Sequence, residues 1–420
     1  MNSIVSRSKI DGSIVAPTSK SALQRHIVAA MLAKGKSVIH FESMSEDAEA
    51  VLGVAKSLGG RVVENKNSLE IVGGINNPAK NLYIGESGLG LRMLSPILAA
   101  TAFPFEISGS GSLLKRPVDF VVDTLLKCGV EIKSTEGSLP LKMQGPINNN
   151  LISIDGSVGS QLLTGFLMAA PLLNNEVKIK VVNLKSKPYI DLTISILNHY
   201  GIEVVNKNYE QFLIGSDQIY KACNSYAEGD WSGAAFVLVA AAITGKIHLK
   251  GIDNHSLQGD KQIVHVLKMA GAEIQEFNNE LIVEKNQLNA FEFDATDVPD
   301  LFPPLVSLAV NCIGISKIKG VSRLKHKESD RANTLKQEFE KLGASVILDG
   351  DYMMVEGTRL HGGHVSSHND HRIAMALAVA ALTSDGEVVI EASESVAKSW
   401  PDFFEKLSQL GANIMKMEQQ

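Results

Sequence analysis

Lys56-Ser57-Leu58-Gly59-Gly60-Arg61-Val62-Val63 closes an amphipathic stretch on a glycine and passes straight into a β-branched run. The pattern returns at Leu126-Lys127-Cys128-Gly129-Val130-Glu131-Ile132 and at Asn198-His199-Tyr200-Gly201-Ile202-Glu203-Val204. It returns again at Lys268-Met269-Ala270-Gly271-Ala272-Glu273-Ile274, Lys341-Leu342-Gly343-Ala344-Ser345-Val346 and Ser408-Gln409-Leu410-Gly411-Ala412-Asn413-Ile414. The six glycines are separated by 70, 72, 70, 72 and 68 residues. Each fits the left-handed residue that ends a helix, with two strands and a polar turn to follow. The spacing predicts an α/β chain of six units.

A second series runs in phase with the first. Residues 22–32, 91–102, 162–173, 234–244, 302–310 and 373–382 are apolar nearly all round, which predicts six buried helices. Each follows a short polar segment: Ser19-Lys20-Ser21, Glu86-Ser87-Gly88, Gly159-Ser160-Gln161, Asp230-Trp231-Ser232, Pro299-Asp300 and Asn369-Asp370-His371-Arg372. Helix N-termini carry unpaired N–H groups and partial positive charge. Helices running parallel in threes would bring these ends together in one anion-attracting cleft. Asp230 and Ser232 read as simple caps. The last unit is short, with one strand at 412–417. Residues 3–15 read as two strands around Asp11-Gly12, so the N-terminus is expected to cross over and complete that unit. The expected domains are 18–226, and 1–17 with 227–420, with the active site in the cleft between them.

Composition narrows the function. The 420 residues carry 40 Lys+Arg against 46 Asp+Glu, a formal charge of −6. That balance argues against a nucleic-acid binder. Residues 1–10 lack the apolar core of a signal peptide, and no apolar run has the length of a membrane span. Cys128, Cys223 and Cys312 have no CxxC spacing, so a reducing, cytoplasmic setting is expected.

Basic residues fall in phase with the repeat: Lys20 and Arg25, Arg92, Lys115-Arg116-Pro117, Lys327 and Arg331, Arg372, and Lys398. A cation at a helix N-terminus opposes the dipole, so the set points to bound anions. Gly85-x-x-Gly88-x-Gly90 departs from dinucleotide spacing and reads better as a phosphate or carboxylate cradle. His361, His364, His368 and His371 lack metal-ligand spacing, which leaves His371 as the one useful histidine. Asp300 and Glu328 are the carboxylates able to act as base and acid in a cationic site. For Glu328, a salt-bridged helix start is an equal reading.

These motifs, in this order, resemble the EPSP synthase family of enolpyruvyl transferases. The resemblance rests on Pro17-Thr18-Ser19-Lys20-Ser21 with Arg25, Asp155-Gly156-Ser157-Val158-Gly159-Ser160-Gln161, Ser186-Lys187-Pro188-Tyr189-Ile190-Asp191, Lys327-Glu328-Ser329-Asp330-Arg331, Asn369-Asp370-His371-Arg372 and Ala397-Lys398-Ser399-Trp400-Pro401. It implies an inside-out α/β barrel of two domains, each with three βαβαββ repeats. It also implies transfer of the enolpyruvyl group of phosphoenolpyruvate to the 5-hydroxyl of shikimate 3-phosphate, with release of phosphate. By the same resemblance Lys20, Ser21, Arg25, Ser160, Gln161, Ser186, Asp300 and Lys327 hold shikimate 3-phosphate. Lys20, Gly88, Arg116, Gln161, Arg331, Arg372 and Lys398 hold phosphoenolpyruvate. Asp300 is the expected base, Glu328 the proton donor to the methylene carbon, and Lys327, Lys20 and Lys398 assist. No metal or organic cofactor, nucleic acid or membrane is implied, and a monomer is expected.

The chain departs from the family pattern at Thr18 for glycine, Gly159 for serine and Arg323 for asparagine. It departs again in Glu86-Ser87-Gly88-Leu89-Gly90-Leu91-Arg92-Met93, where Leu89 replaces threonine and Met93 a proline expected in the first helical turn. This last departure leads us to expect weakened glyphosate inhibition. Two rivals remain at this point: the sister transferase acting on UDP-N-acetylglucosamine, which carries a reactive loop cysteine, and a non-catalytic anion-binding protein on the same fold.

Overall fold

The computed structural model of the chain describes residues 1–417. The chain divides into two compact units, Lys20–Ala227 and Met1–Ser19 together with the chain from Glu228 onward. Thr18 and Ser19 therefore belong with the discontinuous unit, and Ala227 with the continuous one.

Six four-stranded sheets, three in each unit, share one design. An edge strand runs parallel to its neighbour, and two antiparallel strands complete the sheet, joined as a hairpin in five of the six and drawn from the two ends of the chain in the sixth. In the continuous unit, Asn81–Tyr83 pairs parallel with Pro104–Ser108, Leu82 opposite Ile107, and Ser138–Gln144 and Glu131–Thr135 follow. The other two sheets there run Leu151–Asp155, Val177–Val182, Gln211–Ile214, Val205–Lys207, and Asn224–Tyr226, Lys36–His40, Ser68–Val72, Arg61–Asn65. Strand alternation turns Leu69 and Ile71 inward, the period-2 pattern of a sheet with one buried face.

The N-terminal residues serve two sheets. Asn2–Ser6 lies antiparallel between Val388–Glu391 and Asn413–Met417, and so fills out the short last repeat. Asp11–Val15 pairs parallel with Lys246–Lys250, Ile14 opposite Leu249. Asp11 and Gly12 are thus strand residues, not the turn expected. Pairing along its whole length with Lys246–Lys250 overrides the local turn propensity of Asp-Gly.

All six repeat glycines have φ between +80° and +105°, the left-handed region that glycine enters without a Cβ penalty. At Gly59 a Cβ would lie 2.1 Å from the Asn76 carbonyl oxygen, so backbone approach also demands glycine there.

The six buried helices are Lys20–Leu32, Gly88–Ala99, Gln161–Ala169, Trp231–Thr244, Phe302–Ala309 and His371–Ala381. Gly88–Ala99 begins and ends earlier than the apolar run suggested, and Gln161–Ala169 gives way to a 3₁₀ turn over Ala170–Leu173. Every residue of Trp231–Thr244 is buried. Its alanines leave room for neighbouring helices, and an added methylene there costs about 1–3 kcal/mol of overpacking. In the other unit, a Cβ at Gly165 would sit 2.6 Å from the Met93 carbonyl and 2.7 Å from that of Arg92. That close approach locks the helices that carry Arg92 and Gln161.

Candidate active site

In the discontinuous unit, the starts of two buried helices and two neighbouring segments bring charge together. Asp300 comes from the 3₁₀ turn Pro299–Leu301, Arg331 from the first residue of Arg331–Lys341, and Arg372 from the first turn of His371–Ala381. Arg331 is fully buried. It donates from Nη1 to Asp300 Oδ1 (2.8 Å), from Nη2 to Glu328 Oε2 (2.6 Å), and from Nε to Asp370 Oδ2 (3.0 Å). Lys327 Nζ reaches Asp300 Oδ1 at 3.0 Å, and Arg372 Nη2 lies 3.3 Å from Asp300 Oδ2. Lys398 is buried and donates to the Asn369 carbonyl at 2.7 Å.

Burial works to raise the Asp300 carboxyl, but Arg372, Lys327 and Arg331 outweigh it and hold the group well below the usual carboxylate range. Burial pulls the Lys327 ammonium down, against the opposing pull of Asp300. Arg331 is raised despite burial by Asp370, Glu328 and Asp300. The arrangement therefore holds an ionised carboxylate among three cations, with Glu328 tied to one of them.

In the continuous unit the cations are held differently. Lys20 opens its helix and pairs with Asp47 at 2.8 Å. Arg25 is drawn inside, donating to Thr193 Oγ1 (2.9 Å), the Ser21 carbonyl (2.7 Å), Thr164 Oγ1 (3.4 Å) and the Tyr189 carbonyl (3.5 Å). With only neutral partners, burial lowers it to about 10. Ser87 caps Gly88–Ala99 through Gly90 N and donates to Gln24 Oε1 at 2.9 Å. Arg92 lies over Phe120 and donates to Gln161 Oε1 at 2.6 Å. Gly88 lets the Arg116 guanidinium come close, since a Cβ there would meet Nη1 at 2.6 Å. Ser160 immediately precedes Gln161–Ala169, and Ser186 is buried in a left-handed conformation just before Pro188–His199.

Asp300, Lys327, Glu328, Arg331, Arg372 and Lys398 thus gather on one unit. Lys20, Ser21, Arg25, Gly88, Arg116, Ser160, Gln161 and Ser186 belong to the other. The cations are less bare than the sequence suggested. Asp47 and Asp370 were not foreseen as partners, although Asp370 stands in a quoted motif and caps its own helix through Arg372 N. Asp230 does cap through Ser232 N, but Ser232 also donates its hydroxyl to the buried Asp260. Burial, followed by the neighbouring Asp300 charge, pushes Asp260 up to about 6. Met93 lies fully buried beyond the first turn of its helix, so a proline there would remove an interior helical N–H rather than fix a first turn. Glu86 accepts from Ser112 N (2.7 Å) and Oγ (2.8 Å), which ties its charge to the turn leading to Arg116.

The histidines scatter. His361 and His364 are exposed, His368 bonds Glu338, and His371 is buried at its helix start. Among the described residues, no group of three His, Cys, Asp or Glu is placed to hold a metal. Cys128 is buried behind Asp119–Lys127, where burial pushes its thiol up to about 11. This is a packing position, not that of a reactive thiolate.

A family model described as EPSP synthase (3-phosphoshikimate 1-carboxyvinyltransferase) matches residues 4–407. The chain belongs to the EPSP synthase family. The 3-phosphoshikimate 1-carboxyvinyltransferase of Clostridium kluyveri is 38% identical over 414 residues, covering 98% of this chain and 97% of its own. That of Clostridium perfringens is 37% identical over 422 residues, with 99% of each chain covered. The structure of EPSP synthase from Acinetobacter baumannii superposes with a TM-score of 0.83 at 26% identity, over 99% of each chain. The enolpyruvyl transferase NikO from Streptomyces tendae shares the fold at 17% identity and TM-score 0.79, over 99% of this chain and 98% of its own. The expected enolpyruvyl transferase fold is therefore present, and the chain is a transferase with EPSP synthase activity in the shikimate pathway. Its substrates are those of the family, shikimate 3-phosphate and phosphoenolpyruvate. No helix among the described residues is long and apolar enough to cross a membrane.

Proposed function

We propose that the two clusters divide the labour of this transfer on one pair of substrates. Lys20, Ser21, Arg25, Ser160, Gln161 and Ser186, with Asp300 and Lys327, recognise shikimate 3-phosphate. Arg331, Arg372 and Lys398, with Lys20, Gly88, Arg116 and Gln161, take the phosphate and carboxylate of phosphoenolpyruvate. The observation that carries this reading is Asp300, kept ionised by Arg372, Lys327 and Arg331 while Glu328 hangs from the same Arg331.

In the addition step the 5-hydroxyl oxygen bonds to C2 of phosphoenolpyruvate. The hydroxyl gives its proton to Asp300, and C3 gains one from Glu328, which enters the step as the carboxylic acid and leaves it as the carboxylate paired with Arg331, giving a tetrahedral adduct. In the elimination step the bond from C2 to the phosphate oxygen breaks, Glu328 takes a proton back from C3, and the double bond re-forms. The developing charges fall among fixed cations that need no rearrangement. The proton held by Asp300 leaves with the departing phosphate, and Lys327, with its lowered affinity for a proton, stands 3.0 Å from Asp300 as its route. We place the enzyme in the cytoplasm and expect it to act as a monomer.

Asp300→Asn tests the assignment. It keeps the shape and one acceptor oxygen but removes the base. Turnover is expected to fall by two or more orders of magnitude, with shikimate 3-phosphate still bound. Turnover within a few-fold of the unaltered enzyme would remove Asp300 from the role.

A further inference from the structure

Glu338 lies outside both clusters, yet it is the other fully buried charge on the helix that carries Arg331. Seven residues separate the two, or two helical turns, so they share a face. Both reach the same segment. Arg331 grips Asp370 through Nε (3.0 Å) and Nη2 (3.2 Å). Glu338 Oε2 accepts from Ser366 N at 2.9 Å, and Oε1 meets His368 Nε2 at 2.7 Å. Lys341 Nζ lies 2.9 and 2.8 Å from the two oxygens and balances the charge.

The gripped segment is an unusual piece of backbone. His368 and Asn369 are consecutive non-glycine residues with φ of +51° and +56°. They turn the chain from the strand Gly363–Ser366 into the helix His371–Ala381. Such residues persist only where the surroundings over-determine them. From inside the turn, Ser367 Oγ donates to the Ala392 carbonyl and accepts from Asn369 N. From the neighbouring helix, Glu338 holds the turn's entry and Arg331 its exit.

This turn sets three groups at once. Its Asn369 carbonyl receives Lys398 Nζ at 2.7 Å. Its Asp370 carboxylate fixes Arg331 and accepts from Arg372 N at 3.0 Å. We infer that Glu338 is a positioning residue for the phosphoenolpyruvate end of the site. It acts through the Ser366–Asp370 turn to place Arg331, Arg372 and Lys398, and the inference rests on the reading of those three as phosphoenolpyruvate ligands.

The test compares Glu338→Ala, Glu338→Gln, His368→Ala and Lys341→Met. Each is assayed for phosphate release while phosphoenolpyruvate is varied, and shikimate 3-phosphate binding is titrated separately. Glu338→Ala is expected to raise KM for phosphoenolpyruvate about tenfold or more. Glu338→Gln keeps an acceptor for Ser366 N and is expected to recover much of the loss, with His368→Ala between it and the unaltered enzyme. Lys341 touches Glu338 but not the turn, so Lys341→Met should leave this KM within about twofold. Shikimate 3-phosphate affinity should move little in all four. If Glu338→Ala does not fold, the decision passes to His368→Ala. An unchanged KM for phosphoenolpyruvate in folded Glu338→Ala, or in His368→Ala where Glu338→Ala does not fold, or equal losses in Lys341→Met, overturns the inference. Failure of the unaltered enzyme to release phosphate from the two substrates would instead strike the underlying site reading.

Discussion

Glu328→Gln separates chemistry from structure at a single atom. Glu328 Oε2 accepts from Arg331 Nη2 at 2.6 Å, and the side chain is largely shielded. Glutamine keeps an oxygen that can accept the same bond. Arg331 stays charged, so the bond to glutamine is still one to a charged group, and what the fold loses is the attraction of a largely shielded ion pair, roughly 1 kcal/mol. That lowers the melting temperature by a few degrees at most. Loss of a general acid–base group costs about a hundredfold or more in turnover, or about 2.7 kcal/mol of barrier. The assay is phosphate release at saturating levels of both substrates, with thermal melting and shikimate 3-phosphate titration run alongside. The expected result is a nearly intact fold, near-normal binding and turnover reduced by two or more orders of magnitude. Turnover within a few-fold of the unaltered enzyme would leave Glu328 as the salt-bridged helix start that its local sequence equally allows.

Three further outcomes follow from particular contacts. Gly88→Ala puts a methyl where Arg116 Nη1 now lies, 2.6 Å from the new Cβ; it should raise KM for phosphoenolpyruvate about tenfold, roughly 1.4 kcal/mol, and an unchanged KM would mean that Arg116 does not bind that substrate. Asp260, fully buried and raised to about 6 from 3.8, holds its proton more tightly folded than unfolded. Its contribution to stability is therefore complete below about pH 4, is lost as pH rises through about 6, and leaves of order 3 kcal/mol of destabilisation at pH 7. Asp260→Asn should melt several degrees higher at pH 7 and flatten the profile between pH 4 and 6, and an identical slope would refute this. Leu89→Thr, beside Gly88, should tighten glyphosate inhibition measured competitively against phosphoenolpyruvate, and an inhibition constant that does not move would discard the idea that Leu89 crowds the inhibitor.

The fold was legible because its signal repeats. Gly59, Gly129, Gly201, Gly271, Gly343 and Gly411 mark one backbone event six times, and each proves left-handed. The buried helices could be read from their composition. The turn expected at Asp11-Gly12 was not found, because pairing of Asp11–Val15 with Lys246–Lys250 is a long-range contact that no local pattern announces. The same limit applied to the site. Basic residues near helix starts could be seen in sequence, but their partners come from distant segments: Asp47 for Lys20 and Asp370 for Arg331. The Met93 expectation failed on a boundary, since Gly88–Ala99 starts several residues before the apolar run. Gly165 gave no sequence signal at all, because its constraint is the backbone of another helix.

The most direct test of the account is phosphate release by the purified full-length chain, followed with phosphoenolpyruvate alone, with shikimate 3-phosphate alone and with both, and with the organic product weighed by mass spectrometry. The account predicts release only when both substrates are present, one phosphate for each shikimate 3-phosphate that gains a carboxyvinyl group. Release from phosphoenolpyruvate alone at the same rate, or no carboxyvinyl adduct of shikimate 3-phosphate, would contradict it.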